Sequence, residues 1–382
     1  MKYILRGALL SGIVLLLTES SSALPRFAVR TGAKCATCHV DPTGGRMRNA
    51  WGAQYGKNQL SLLSTRDEDF KFDTRLTENI SMGGDFRVQF LYTESGDNFT
   101  SQAMTASFYG AVKLGKKITL FYKQDIINPK YGPFSEGLFS GPEVFGMGRI
   151  LPRRWYIKGG VFYPNYGWRL DDHTSYTRGG NLGFIAGLPS NLGLIFVPNY
   201  KDVGFEVGGN VGNLFLTGGA FNGTGNLVPL RFSRDRAYVG RAEYLVNLAN
   251  LNLRAGASYY TYINYHMWGF TGGIGHERFA ILGEIDWTDN GLLLNSEIDP
   301  RPKTMAAYAE LDVLAIDGVW AIVKYDFFDP NQGEADNDVS RLTLGVEIFA
   351  YPMVEIRPQF RIEMEEPGLD NNLFLVQTHV WF

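Results

Sequence analysis

The sequence predicts an all-β fold, a transmembrane antiparallel β-barrel of about sixteen strands, preceded by a short N-terminal segment that carries a CxxCH motif. Three observations predict it. From Ile80 onward, segments of about ten residues alternate apolar and polar side chains, the period of a strand whose two faces meet different surroundings. Beyond the first residues, no apolar run reaches the ~18 residues that a membrane helix needs. The chain holds 45 Gly, 20 Tyr, 26 Phe and 7 Trp with 36 basic and 39 acidic residues, a composition that suits tight turns and aromatic girdles in a bilayer. The net charge of −3 gives no case for nucleic-acid binding.

The start of the chain sets the compartment. Lys2 and Arg6 precede a short apolar core, Ala8 to Leu17, and Ser21-Ser22-Ala23 offers small residues for cleavage. The core is too short to span a membrane, so residues 1–23 read as a secretory signal peptide with a mature start near Leu24. The expected organisation is a monohaem segment over 24–72 and a bacterial outer-membrane barrel over 73–382.

Cys35-Ala-Thr-Cys38-His39 contains the only two cysteines of the chain. Cysteines at this spacing form thioethers to haem vinyl groups, and the histidine that follows ligates the iron, so one covalent haem c is the expected cofactor. A thioredoxin-like disulfide needs a βαβ context that is absent. A zinc site needs further ligands, and no Cys or His lies between His39 and His173. Downstream, Pro42, Gly44 and Gly45 turn the chain, and Met47, Trp51 and Tyr55 fall at helical spacing, one face that would pack on the porphyrin. Cys35, Cys38, His39, Met47 and Trp51 are therefore the candidate cofactor residues. Met47 is a candidate distal ligand, since eight residues reach at most ~27 Å, enough to pass round a porphyrin edge. His173, His379 or an open iron position are the alternatives, as is Met82 if a bulge at Gly83-Gly84 turns it from the lipid-facing parity it shares with Phe86. A globule of this size has a radius of gyration of roughly 10 Å; it fits inside the lumen or hangs beneath it.

The barrel pattern is clearest from Met353 to Met364, where Val354, Ile356, Phe360 and Ile362 share one parity and Glu355, Arg357, Gln359, Arg361 and Glu363 the other. In lipid, the apolar set faces outward and the charges face a wet lumen. Candidate strands are 80–92, 103–114, 117–126, 154–163, 180–187, 191–198, 201–209, 213–222, 236–248, 251–261, 265–274, 278–288, 303–314, 318–328, 339–350, 353–364 and 371–382. Bacterial single-chain barrels have even strand numbers, so one of these seventeen is surplus, and Gly and Pro crowd the pattern between 154 and 200. The last strand ends on Phe382, as outer-membrane assembly signals do. Residues 159–178 break the rhythm: Asp171, Asp172 and His173 offer hard oxygens and an imidazole to a divalent metal. Alternatively they lie in a solvated loop whose aspartates pair with Arg169 and Arg178.

The run PRFAVRTGAKCATCH, Pro25 to His39, resembles the N-terminus of the outer-membrane cytochrome-porin fusions of iron-oxidising bacteria, which carry an aromatic-Ala-x-x-Thr-Gly-x-x-CxxCH pattern before a barrel of about sixteen strands. The resemblance implies that Cys35 and Cys38 attach haem, that His39 is the proximal ligand, and that Fe(II) is oxidised at the cell surface. The implied partners are outer-membrane lipids, a small extracellular donor such as Fe(II), and a periplasmic c-type cytochrome or other electron carrier. One haem cannot bridge an apolar band ~25 Å tall, so a small donor entering the lumen suits a single redox centre. Acidic lumen candidates, Asp85, Asp125, Glu284, Asp286, Glu310 and Asp312, would help gather a cation. A conduit for another donor or acceptor, and a solute porin whose haem is structural or sensory, are the other readings.

Overall fold

Where the dyad pattern runs unbroken, the chain pairs with its neighbour in sequence. The computed structural model describes residues 25–66, 73–94, 98–127, 142–152, 155–170, 172, 174–180, 194, 201–223, 234–289, 303–365 and 371–382. The first eight strands are β1 (Ile80–Thr93), β2 (Asn98–Leu114), β3 (Ile118–Ile127), β4 (Glu143–Gly148), β5 (Tyr156–Phe162), β6 (Asp202–Val211), β7 (Leu214–Phe221) and β8 (Ala237–Asn247). The others are β9 (Asn252–Tyr262), β10 (Tyr265–His276), β11 (Phe279–Asp289), β12 (Thr304–Ile316), β13 (Val319–Asp329), β14 (Val339–Tyr351), β15 (Val354–Glu365) and β16 (Leu373–Trp381). All pair antiparallel in sequence order, and β1 closes on β16 with Val88 opposite Thr378. Closure leaves no sheet edge, which is what a bilayer demands of a spanning sheet.

The burial pattern is that of a soluble protein turned inside out. Phe270 on the exterior is 56% exposed, whereas Asp286 and Arg341, which point inward, are 0% exposed. This is an outer-membrane barrel. The turns β6–β7, β8–β9, β10–β11, β12–β13 and β14–β15 are short and lie at one end, the periplasmic end by the usual rule. Met82 is 45% exposed on the outer face, as its parity predicts.

The strands depart from expectation in two places. Glu143–Gly148 is a strand that alternation misses, because two of its three lumen-facing residues, Phe145 and Met147, are apolar and 2% exposed. There the lumen is dry, so the polar-inside rule fails. Conversely, β5 pairs directly with β6, and the closed sheet has no place for strands at 180–187 or 191–198. Those segments, Gly180 and Leu194 apart, lie outside the described residues.

The lumen is filled from both ends. From the short-turn end comes the N-terminal segment, with helices α1 (Pro25–Thr31), α2 (Cys35–Cys38) and α3 (Ala50–Tyr55) and a π turn, Gly56–Leu60. Pro25 opens α1, where a missing N–H costs nothing, and Gly32 ends it at φ +66°. Arg26 pairs with Glu347 and lies 3.5 Å from Asp312; Asn252 donates to the Arg30 carbonyl at 2.7 Å; Leu62 N–H donates to Phe349 O at 3.0 Å. From the other end, the connection after β5 folds inward. Tyr166 donates to Asp286 at 2.9 Å, Arg178 pairs with Glu284 at 2.8 Å, and Ser175 donates to Asp326 at 2.7 Å. The two fillers meet where Arg169 Nη2 donates to Thr43 Oγ1 at 3.3 Å. The N-terminal segment is thus a plug within the lumen, one of the two positions its size allowed.

Candidate functional site

Local chain geometry brings both cysteines to one side of a single helical turn. Cys35 and Cys38 bound α2 at i and i+3 spacing, and His39 leaves it with extended backbone (φ −111°, ψ 152°), its N–H donating to Cys35 O at 3.0 Å. Cys38 is 0% exposed, and no disulfide joins the two. Burial pushes the Cys35 thiol up, partly offset by Arg254 nearby.

Asn49, which sequence reading did not single out, holds this turn in place. Its side chain caps α3 by accepting from Gly52 N–H at 2.9 Å, and its Nδ2 donates to Thr37 O at 2.9 Å. Cap and attachment turn are therefore stapled together. Gly52 then lies flush on the motif: a Cβ there would come within 2.3 Å of Cys38 O. The available sequence signal was an Asn ahead of an apolar helix with glycine three residues on.

Asp41 ties the turn to the wall. It accepts from Thr43 N–H at 3.0 Å and pairs with Lys158 on β5 at 3.1 Å. Burial alone would raise its carboxyl; Lys158 and Arg169 outweigh that and hold it at about 2. A pair this dry gains little net stability, so its main effect is to fix position.

The expected helical face of Met47, Trp51 and Tyr55 is not formed. The helix begins only at Ala50, after the Asn49 cap, so Met47 precedes it. Met47, 1% exposed, enters an apolar cluster with Phe121, Phe145, Phe162 and Tyr260, and its paired neighbour Val40 packs there too. His39 bridges Arg48, and side chains alternate along such a pair, so His39 and Arg48 share the opposite side. Trp51 is 48% exposed and stacks on Tyr55 with ring centroids 6.0 Å apart. The structure therefore gathers Cys35, Cys38 and His39 on one turn, with Met47 in the apolar cluster and Trp51 against Tyr55. His379 is committed as well: Nε2 lies 3.1 Å from Asp85 and Nδ1 3.2 Å from Glu355.

The donor set suits a c-type haem. Two thiols on one turn and an adjacent imidazole are its attachment chemistry. Among the described residues, no group of three His, Cys, Asp or Glu side chains is arranged to hold a metal ion. Asp171 and His173 lie outside the described residues. Asp172 pairs with Lys324 at 2.8 Å and lies 3.8 Å from Arg361. Its partners are wall cations; Arg178 pairs with Glu284 instead. The lumen acids are largely compensated too, Asp125 by Lys123 and Lys201, Asp312 by Arg26.

No family model and no curated protein sequence matches the chain. Solved structures do. A loop-deletion mutant of OmpT, an outer-membrane protein of Vibrio cholerae, superposes with a TM-score of 0.53 at 10% identity, covering 79% of this chain and 99% of that one. OprB of Pseudomonas putida gives 0.52 at 11% identity over 80% and 94%. An anion-selective porin from Comamonas acidovorans gives 0.52 at 14% identity over 79% and 99%. At such identities the likeness establishes the fold: a sixteen-stranded outer-membrane barrel of the porin type.

Proposed function

We propose that this chain is a plugged outer-membrane barrel that transfers one electron at a time through a single covalent haem c. Cys35 and Cys38 tether the haem and His39 supplies the proximal imidazole. Asn49, Gly52 and Asp41 hold the attachment turn in the lumen. The haem supplies a one-electron iron couple. Fe(II) outside the cell is the foremost donor and a periplasmic carrier the acceptor. The observation that supports this reading is the placement of the Cys35–His39 turn inside a lumen that described residues fill from both ends. Stopped-flow mixing of the oxidised protein with Fe(II) tests it. Reduction within seconds is expected; a haem that stays ferric for minutes contradicts the Fe(II) assignment.

The fold favours a second reading, a solute porin whose haem is structural or sensory. The plug distinguishes the two. Liposomes carrying the protein should not swell in sugar, because the Arg26 and Lys158 ion pairs hold the filler in place; swelling at porin rates favours the second reading.

A further inference from the structure

The first helix lies in the barrel with its N-terminal end innermost. Its other end is at the short-turn mouth, where Gly32 sits against Asn247 and Asn252 beside the β8–β9 turn, and Arg30 Nη1 donates to Glu277 O in the β10–β11 turn at 3.1 Å. From there the helix runs inward. Arg26 is 4% exposed and pairs with Glu347 on β14, and Pro25 lines a cavity together with Leu170 and Asp172 of the loop that enters from the opposite mouth. A helix of seven residues spans ~10 Å. Whatever precedes Pro25 is therefore joined to the chain inside the lumen, between the two fillers.

That position does not suit the leader. Residues 1–23, read as a signal peptide, would measure ~35 Å as a helix. The cavity at Pro25 offers about 30 Å³, the space of one or two waters. The way back along α1 is closed as well, because Phe27, Ala28 and Val29 are all buried between plug and wall. Chemistry agrees with size. The cavity walls carry Arg26, Asp172, Glu310, Lys324 and Arg357, and the apolar run Ala8 to Leu17 pressed against them would strip water from charged groups without replacing its hydrogen bonds. A chain that starts near Leu24 brings only one residue and an amino group no larger than a water.

We propose that the plug seats only after the leader has been cut next to Pro25, so that proteolytic processing is the step that permits the lumen to be filled. Removal of a pro-segment is an established kind of conformational switch. The leader then acts twice: it directs export, and while attached it holds the plug out of the barrel. The inference rests on the signal-peptide reading and is independent of the haem.

The test uses the full-length protein purified from outer membranes, with heat-modifiable gel mobility reporting a folded barrel and intact mass reporting the mature start. A second form carries a Gly-Ser extension of about eight residues between Ala23 and Leu24, ~27 Å when extended. Labelling of the α-amino group by an amine-reactive ester, located on the N-terminal peptide, and tryptic cleavage after Arg26 or Arg30 are read. The native protein should start next to Pro25, and its amino group should label about tenfold or more slowly when folded than when denatured. The extended form should be cut about tenfold or more faster than the native one, since cleavage follows the population of unseated plug. An extended form as resistant as the native protein overturns the proposal. So does a native amino group that labels equally fast in the folded and denatured states, or a start far upstream of Leu24 in a protein whose Arg26 and Arg30 are protected. Should the extension prevent barrel folding, labelling of the native protein decides alone.

Discussion

The N-terminal plug and the loop after β5 enter the lumen from opposite ends, and each grips the wall with both apolar contact and charge, in different balance. The plug seats Met47 in an apolar patch of β3, β4, β5 and β9, with Phe121, Phe145, Phe162 and Tyr260. The loop is clasped by charge: Arg178 to Glu284, Asp172 to Lys324, Arg341 to the Thr174 carbonyl. Dry contact gives the plug most of its binding free energy, because buried ion pairs roughly break even. Charge gives the loop its register. The ionisable groups of the loop are spent on the wall, while the two cysteines of the plug form no disulfide.

The comparison can be broken in steps. Cys35→Ala with Cys38→Ala should abolish covalent haem completely, read by haem staining, with a barrel that still resists unfolding by detergent. Lys158→Ala strands the buried carboxylates of Asp41 and Glu206 together, and should loosen the plug by about 3–5 kcal/mol, seen as faster protease cleavage after Arg30 or Lys34. Phe145→Ala, on the apolar side, should cost about 3 kcal/mol and act on the plug while leaving the loop protected from hydrogen exchange. Asp172 gives the pH test. Burial would raise its carboxyl, but Lys324 and Arg361 hold it well below the ordinary range, so the loop clasp is complete above about pH 4 and weakens only as pH falls through the lower, native value. Hydrogen exchange of Thr174–Arg178 should therefore be flat from neutral pH down to about 4 once corrected for intrinsic rates; a rise near neutrality contradicts the pairing. Smallest is Arg169→Ala, which removes the Thr43 contact between the fillers and should cost about 1 kcal/mol.

The barrel was legible because alternation is local, and a strand such as Val354–Glu365 declares both faces within its own residues. The CxxCH turn was legible for the same reason. β4 was not, since Phe145 and Met147 face a plug rather than water, and no pattern within Glu143–Gly148 can report that. The helical face of Met47, Trp51 and Tyr55 failed on one residue: Asn49 starts the helix after Met47. Lys158, Asn252 and Arg254, which fix the plug, lie more than a hundred residues from their partners, and their pairing exists only once the sheet has closed.

The central claim is that the Cys35–His39 turn carries one haem inside the barrel. Intact mass spectrometry of the protein purified from outer membranes of a haem-maturing host tests it most directly. The account predicts a mass greater by one haem per chain, with Cys35 and Cys38 refractory to alkylation after denaturation and reduction. An unmodified mass with both thiols alkylated would contradict it.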